Sequence, residues 1–276
     1  MIYNFKNIFS ILFLLIPFFL ITGPAIPDLV ITFGTVFGLL WMVTKKQTNV
    51  LILESITQIS LFFWFGLILI SFFAINKANS FQDSLIFLRF LLIPIFLYFL
   101  YFKNEKIFYY FLLSVFILVI FVSIDTLFQF FNYSTADGFG EDLLGFKSKW
   151  YGRMTGPFGD ELVPGAYVSK FGIIGYVYLV LNKRLNNIFL IHPAYLSLVL
   201  LTCFISGERM ALASFMLALF LLLLFDKNKI KIFISLVIGF SLIGLVYVLH
   251  PYYNDYKVIE SNEFHQGLKI QKEYLC

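Results

Sequence analysis

Apolar residues run in long blocks along this chain, at about 8–23, 28–44, 55–75, 84–102, 107–131, 163–181, 187–205, 209–225 and 231–249. Short polar segments separate them. A helix needs about 20 apolar residues to cross a hydrocarbon core of about 30 Å. In lipid only helices and closed barrels satisfy every backbone group. These blocks are too long and too continuously apolar for barrel strands. The pattern predicts an all-α, polytopic transmembrane helical bundle of about nine spans, with residues 1–276 forming a single membrane domain. The first block, with Lys6 before it and Gly23-Pro24-Ala25 after it, imitates a signal peptide. It is long for that, and further spans follow, so it reads as a signal anchor. Gly34 and Gly38 form a GxxxG pair in the second block, a pattern of close helix packing.

Composition agrees with the pattern. Sixty per cent of the 276 residues are hydrophobic and 13% are charged, and mean hydropathy is +0.88. A soluble domain carries about 25% charge, so a soluble enzyme, a disordered chain and a disulfide scaffold are excluded. Any chemistry must sit on helix ends and loops. Cys203 and Cys276 make no disulfide framework, and His192, His250 and His265 lie far apart with no metal-ligand spacing. The sequence implies no cofactor, and nothing in it points to nucleic acid.

The placement of charge says more than the net value of +4. One set of block ends carries Lys6, Lys45, Lys46, Lys103, Lys106, Lys183, Arg184, Lys227, Lys229 and Lys231, while the short loops opposite carry only Lys77 and Arg209. Positive charge marks the cytoplasmic side. The N-terminus is therefore expected in the cytoplasm. The loop 132–162, the Ser206–Arg209 connection and the tail 250–276 are expected outside it.

Ionisable residues within spans are costly and point to function by default. Arg89 and Asp125 each lie about six residues, about 9 Å, below the outer ends of their helices. Lys170 is a little deeper on the sixth helix, and Arg209 opens the eighth. The inner half has only Glu54, near its rim. An ion pathway would string carboxylates through the full depth. A mostly basic pocket open to one side instead favours an anion. The fourth, sixth and eighth helices start on that side, and helix N-termini present free N–H groups and positive dipole ends. Together these suggest a phosphate or pyrophosphate site. Ion pairing that merely holds helices together, Asp125 with Arg89 or with Lys170, accounts for the same residues.

The loop 132–162 mixes glycine, proline, aromatics and both signs of charge, and long structured loops are often functional. Trp150 and Tyr151 suit either interfacial anchoring or stacking on sugar rings. Asp160 suits a cap for the sixth helix or a contact to substrate, and either Asp160 or Glu161 beside it is a candidate base.

Two segments stand out. Arg153-Met-Thr-Gly-Pro-Phe-Gly-Asp-Glu-Leu-Val-Pro-Gly165 precedes one apolar helix, and Ile205-Ser-Gly-Glu-Arg209-Met-Ala-Leu-Ala-Ser opens another. In this order and on this side they resemble the bacterial O-antigen ligase and O-antigen polymerase family, whose members carry a (Ser/Thr)-Gly-x-Arg segment at the outer start of a transmembrane helix. The resemblance covers roughly residues 80–255. It implies the architecture of membrane glycosyltransferases that use polyprenyl-linked donors in the bacterial inner membrane. These enzymes are metal-independent and transfer a glycan from undecaprenyl pyrophosphate at the periplasmic face. A ligase passes it to the lipid A core and a polymerase to another repeat unit. Membrane lipid, the lipid-linked donor and the glycan acceptor are the implied partners. The family's pyrophosphate-binding arginine maps onto Arg209. Arg153 is the second phosphate candidate, with Glu161 as the candidate base and Arg89, Lys170, Asp160, Trp150 and Tyr151 as candidate substrate contacts.

The chain departs from the family at its end. A His-Asn segment in a large periplasmic loop is thought to assist the acceptor. Here His265 is followed by Gln266 and Gly267, and the sequence stops at Cys276, so the chain is expected to be a C-terminally truncated member. The rival functions are a transporter or flippase for a lipid-linked or anionic metabolite, and a non-catalytic remnant. A transporter would normally show an internal repeat, and none is visible.

Overall fold

The computed structural model describes residues 11–44, 55–101, 105–134, 138–150, 153–226 and 229–250. Tyr151, Glu54, Lys6, Lys45, Lys46, Lys103, Lys227 and the tail from residue 251, with His265 and Cys276, lie outside the described residues. The fold is all-helical, and no strand forms among the described residues. The helices are α1 (Ile16–Phe19), α2 (Ala25–Thr44), α3 (Ser55–Ser71), α4 (Lys77–Tyr101) and α5 (Glu105–Phe131), followed by α6 (Pro164–Leu181), α7 (Lys183–Asn186), α8 (Ile191–Ile205), α9 (Arg209–Phe225) and α10 (Lys229–Leu249). Among the described residues three stretches are long and apolar enough to cross a membrane: Lys106–Phe131, Pro164–Leu181 and Lys229–Leu249. Four further apolar helical stretches are shorter: Ala25–Leu40, Ser55–Ser71, Ile191–Ile205 and Arg209–Phe225. The apolar block expected at 187–205 becomes a helix only from Ile191, because Asn182 caps the short α7 and a turn follows before the chain re-enters a helix.

The chain divides into two compact units, residues 1–111 and 112–276. In the first, α4 packs against both α2 and α3. The seams are tied by side chains bonded to backbone. The Thr35 hydroxyl donates to the Arg89 carbonyl at 3.2 Å, and the Trp64 indole donates to the Ser84 carbonyl at 2.8 Å. Gly34 and Gly38 lie on the buried face of α2 beside Thr35.

In the second unit α8 is the central helix, packing against α10, α6, α9 and α7. Its sequence explains this. Apolar residues surround it on all sides, and such a helix belongs in an interior. Leu196, Val199, Leu200 and Cys203 are fully buried. Small residues let the neighbours close in: a Cβ on Gly172 would meet Val199 at 2.8 Å, and one on Gly239 would meet Leu200 at 2.7 Å. The Tyr195 hydroxyl finds its acceptor across that seam, donating to the Gly172 carbonyl at 3.0 Å. The outward faces are strongly apolar, with Phe225, Phe233, Leu217 and Phe220 all exposed. Such faces suit a hydrocarbon surrounding rather than water.

The segment after α5 is held from below by two polar residues of that helix. Gln129 Oε1 accepts the N–H groups of Thr155 and Gly156 at 2.8 and 2.9 Å, and its amide nitrogen donates to the Thr155 hydroxyl. Asp125 Oδ1 accepts the Leu143 N–H at 2.9 Å. Two isolated antiparallel bridges, Ser134 with Phe139 and Glu141 with Lys147, fold the rest. One oxygen of the Asp125 carboxylate is therefore engaged with this segment, while Oδ2 is buried without a partner. The expected ion pair to Arg89 is replaced by one between Arg89 and Asp28, at 2.6 Å.

Gln129→Leu leaves two buried N–H groups without an acceptor. Each such loss costs about 1–3 kcal/mol. The expected outcome is a clear fall in melting temperature in detergent and faster proteolysis within 132–162. Gln129→Glu, which keeps the acceptor, should lose much less.

Candidate functional site

Two N–H groups at the start of α6 decide the local geometry. Pro164 stands at the first position and supplies no donor, and the N-cap Val163 has no side chain able to accept. The next N–H groups, of Gly165 and Ala166, need acceptors from elsewhere. Glu208 provides them: its two carboxylate oxygens accept from Gly165 at 2.9 Å and from Ala166 at 3.0 Å. The cap of α6 thus comes from 42 residues further along the chain. Asp160, expected as a cap, is instead ion-paired with Lys149.

The turn that delivers Glu208 follows from its sequence. α8 ends at Ile205 with Ser206 as its C-cap, and Gly207 adopts φ +72°, a left-handed conformation that glycine reaches without strain. Glu208 is then extended, and Arg209 opens α9. The Ser206 hydroxyl donates to the Cys203 carbonyl at 3.0 Å and accepts from the Glu208 N–H at 3.4 Å. The reversal needs Gly165 as well. A Cβ there would sit 2.2 Å from the Ser206 hydroxyl oxygen and 3.1 Å from a Glu208 carboxylate oxygen.

Arg153 completes the arrangement. A Cβ on Gly207 would meet Arg153 Nε at 3.4 Å, so the guanidinium lies against the turn. Arg153 Nε is buried and has no hydrogen-bond partner. Burial pushes the Glu208 carboxyl above its ordinary range, while its two N–H bonds and the charges of Arg153 and Lys170 act the other way. Arg209 is exposed at the start of α9, and its guanidinium makes no hydrogen bond or ion pair among the described residues. The Glu208 side chain does not cap α9, so the first-turn N–H groups of that helix are left for another acceptor. Arg153, Lys170 and Glu208 thus lie within electrostatic reach of one another, and Arg209 follows Glu208 at the exposed start of α9.

The other expected site residues fall elsewhere. Arg89 belongs to the first unit, where its guanidinium bonds to the Asp28 carboxylate and the Thr32 hydroxyl. Its charge is already compensated. Trp150 is exposed, and its indole N–H donates to the Asp160 carbonyl at 3.0 Å. Lys149, Trp150 and Asp160 form a local clasp, in which the exposed ion pair adds little stability. The Glu161 carboxylate is exposed and has no hydrogen bond or ion pair among the described residues. Tyr151 lies outside them. Of the three helix N-termini expected to serve an anion, that of α6 is taken by Glu208.

Sequence reasoning missed Glu208 and Gln129. Each had a signal. Glu208 sits inside the Ser-Gly-Glu-Arg segment itself, and Gln129 is an uncharged polar residue in the last turn of an apolar helix.

Glu208→Ala should destabilise the chain by about 2 kcal/mol or more, because two N–H groups lose their acceptor together. Gly165→Ala should destabilise it too, and Ser206→Gly should recover part of that loss when combined with it. A double-mutant cycle of melting temperatures checks this; simple additivity would contradict the close approach.

Comparison with family models, with curated proteins and with solved structures returns no match to this chain.

Proposed function

We propose that this protein is a bacterial inner-membrane glycosyltransferase of about nine spans, with a cytoplasmic N-terminus. It moves a glycan from undecaprenyl pyrophosphate, at the outer face, to lipid A core or to another repeat unit. The observation that carries the reading is the meeting of two distant segments. Arg153, from the segment before α6, lies on Gly207 of the Ser-Gly-Glu-Arg turn with a buried, partnerless Nε. Arg209 stands two residues on, at a helix start whose N–H groups its own cap leaves free. Two guanidinium groups, a lysine and a helix N-terminus form a setting for a diphosphate.

The chemistry follows from those groups. The acceptor hydroxyl attacks the anomeric carbon of the donor sugar. The bond from that carbon to the pyrophosphate oxygen breaks, and the pyrophosphate leaves with the electron pair. Its charge grows in the transition state, and donors already fixed there stabilise it without reorganisation. Arg209 and Arg153 take that role, and Lys170 adds charge from α6. We assign the acceptor hydroxyl's proton to Glu161, which is exposed and makes no hydrogen bond or ion pair among the described residues. Glu208 acts on the site rather than on the substrate. Its carboxylate fills the start of α6, so the diphosphate is directed to the start of α9.

Arg209→Ala should abolish glycan transfer from lipid-linked donor while the protein still inserts and expresses; retained transfer would remove the assigned role. Arg153→Lys should keep more activity than Arg153→Ala, with the loss appearing in kcat/KM. The topology has a separate test. In a chain with Cys203→Ser and Cys276→Ser, a cysteine at Leu144 should react with a membrane-impermeant thiol reagent applied from the periplasmic side. A cysteine at Asn187 should not.

A further inference from the structure

The far end of the second unit lies about 22 Å from the Ser206–Arg209 turn, by the length of α8 at about 1.5 Å per residue. It carries three exposed cations. Lys183 and Arg184 stand on α7, and Lys229 opens α10. Among the described residues none of the three has an ion pair or a side-chain hydrogen bond; the ion pairs of the chain lie elsewhere. Asp226, at the end of α9, is the acid of this end among the described residues. It lies within electrostatic reach of the buried Tyr176 and His192, so its charge acts inside the bundle.

A fourth cation brings the three together. Lys231 Nζ donates to the Asn186 carbonyl at 2.7 Å, which joins the last residue of α7 to the first turn of α10 across 45 positions. Lys183 and Arg184 stand within one helical turn of that bond, and Lys229 is two residues from Lys231. Asn182 holds the other end of α7, accepting the N–H groups of Arg184 and Leu185 at 3.1 and 3.3 Å. The chain then leaves α7 through Ile188, Phe189 and Leu190, three consecutive large apolar side chains that are all exposed. They sit in a connection rather than in a long apolar helix, within seven residues of the two α7 cations.

We infer that this edge binds an anionic phospholipid, with its phosphate on Lys183, Arg184 and Lys229 and its acyl chains along Ile188, Phe189 and Leu190. A basic turn followed directly by exposed apolar side chains suits a segment lying in the membrane interface, where charge meets the headgroups and the apolar groups reach the acyl boundary. Basic pockets between helix ends attract anionic headgroups. Positive charge at helix ends is general in membrane proteins and by itself gives only a diffuse attraction. Two features set this edge apart. Cations from two elements are held together by the Lys231 bond, and among the described residues no acid pairs with them. A soluble phosphate would meet the cations and leave the apolar trio uncovered, so a lipid is the occupant that satisfies both. The inference needs the apolar bundle to lie in lipid; it does not rest on glycosyl transfer.

The test uses the full chain in a neutral detergent. Binding of phosphatidylglycerol and of phosphatidylcholine with identical acyl chains is followed by native mass spectrometry. Lys183→Gln combined with Arg184→Gln removes two exposed cations, and an unchanged melting temperature verifies folding. Lys229→Gln, on the other helix, is an independent variant. Lys77→Gln combined with Lys149→Gln removes the same charge elsewhere. The expected result is phosphatidylglycerol retained where phosphatidylcholine is lost. Its affinity should fall roughly tenfold, about 1.4 kcal/mol, in the Lys183 and Arg184 pair. It should fall in the same direction in Lys229→Gln and in Ile188→Ser combined with Leu190→Ser. It should be unchanged in the Lys77 and Lys149 pair and in Arg209→Ala. Equal retention of the two lipids would overturn the inference, as would an unchanged affinity in the Lys183 and Arg184 pair and in Lys229→Gln. So would an equal loss in the two charge pairs, or a loss in Arg209→Ala. Displacement of the lipid by millimolar inorganic phosphate would make the edge a site for a soluble anion and overturn it too.

Discussion

The Glu208 carboxylate, accepting from Gly165 and Ala166, is the interaction on which the arrangement of the second unit's polar end depends. The start of a helix has N–H groups with no partner inside the helix, and leaving them unpaired away from water is costly. Pro164 removes one such donor, and Glu208 accepts two more. In doing so it pins the Ser206–Arg209 turn to the start of α6. Arg153 then rests on Gly207, and Arg209 projects from the start of α9. A negative charge at a helix N-terminus is favoured by the dipole, which offsets part of the cost of burying it. The charges of Arg153 and Lys170 act in the same direction, although burial still outweighs them and holds the carboxyl above its ordinary range.

The same constraint shapes the segment between α5 and α6. Its backbone leaves the regular helix close to an apolar bundle, so its N–H groups require acceptors. Gln129 and Asp125, both on α5, provide them for Thr155, Gly156 and Leu143. An uncharged amide serves where two N–H groups converge, because it accepts without adding a buried charge. Gly140 allows the segment to approach closely; a Cβ there would overlap the Gln129 carbonyl oxygen at 2.0 Å. With these needs met, the atoms left over carry the interest. Arg153 Nε beside the basic turn, and Asp125 Oδ2 and Asp142 Oδ2 in and below the segment, are among the buried side-chain atoms left without a partner.

The first unit solves its own charge problem differently. Arg89 on α4 meets Asp28 at the start of α2 at 2.6 Å, and its guanidinium also lies 4.7 Å from the Phe90 ring centroid. A guanidinium among apolar helices needs a partner of opposite sign, and the nearest helix carries one. That pairing removes Arg89 from the set of cations free to meet an anion, and it leaves Arg153, Lys170 and Arg209 as the basic side chains of the candidate site.

Much of this was legible in the residues alone. From the second block onward the apolar blocks set the helices and their approximate ends, because burial in lipid or core demands a continuous apolar run and a backbone bonded to itself; the described part of the first block, 8–23, carries only short helical turns broken at Leu15, α1 (Ile16–Phe19) among them. Gly207 followed by Glu208 and Arg209 marked a helix stop and a helix start, and Arg209 is at that start. What the residues alone left undecided was pairing. Arg89 and Asp28 are 61 positions apart, Glu208 and Gly165 are 43 apart, and Asp125 had several basic residues at similar depth to choose from. Depth along a helix can be counted from sequence, but rotation about its axis and the identity of its neighbours cannot. Those were decided by small residues such as Gly172 and Gly239, which let particular helices approach, and by the need of each buried N–H group for the acceptor that this approach brought within reach.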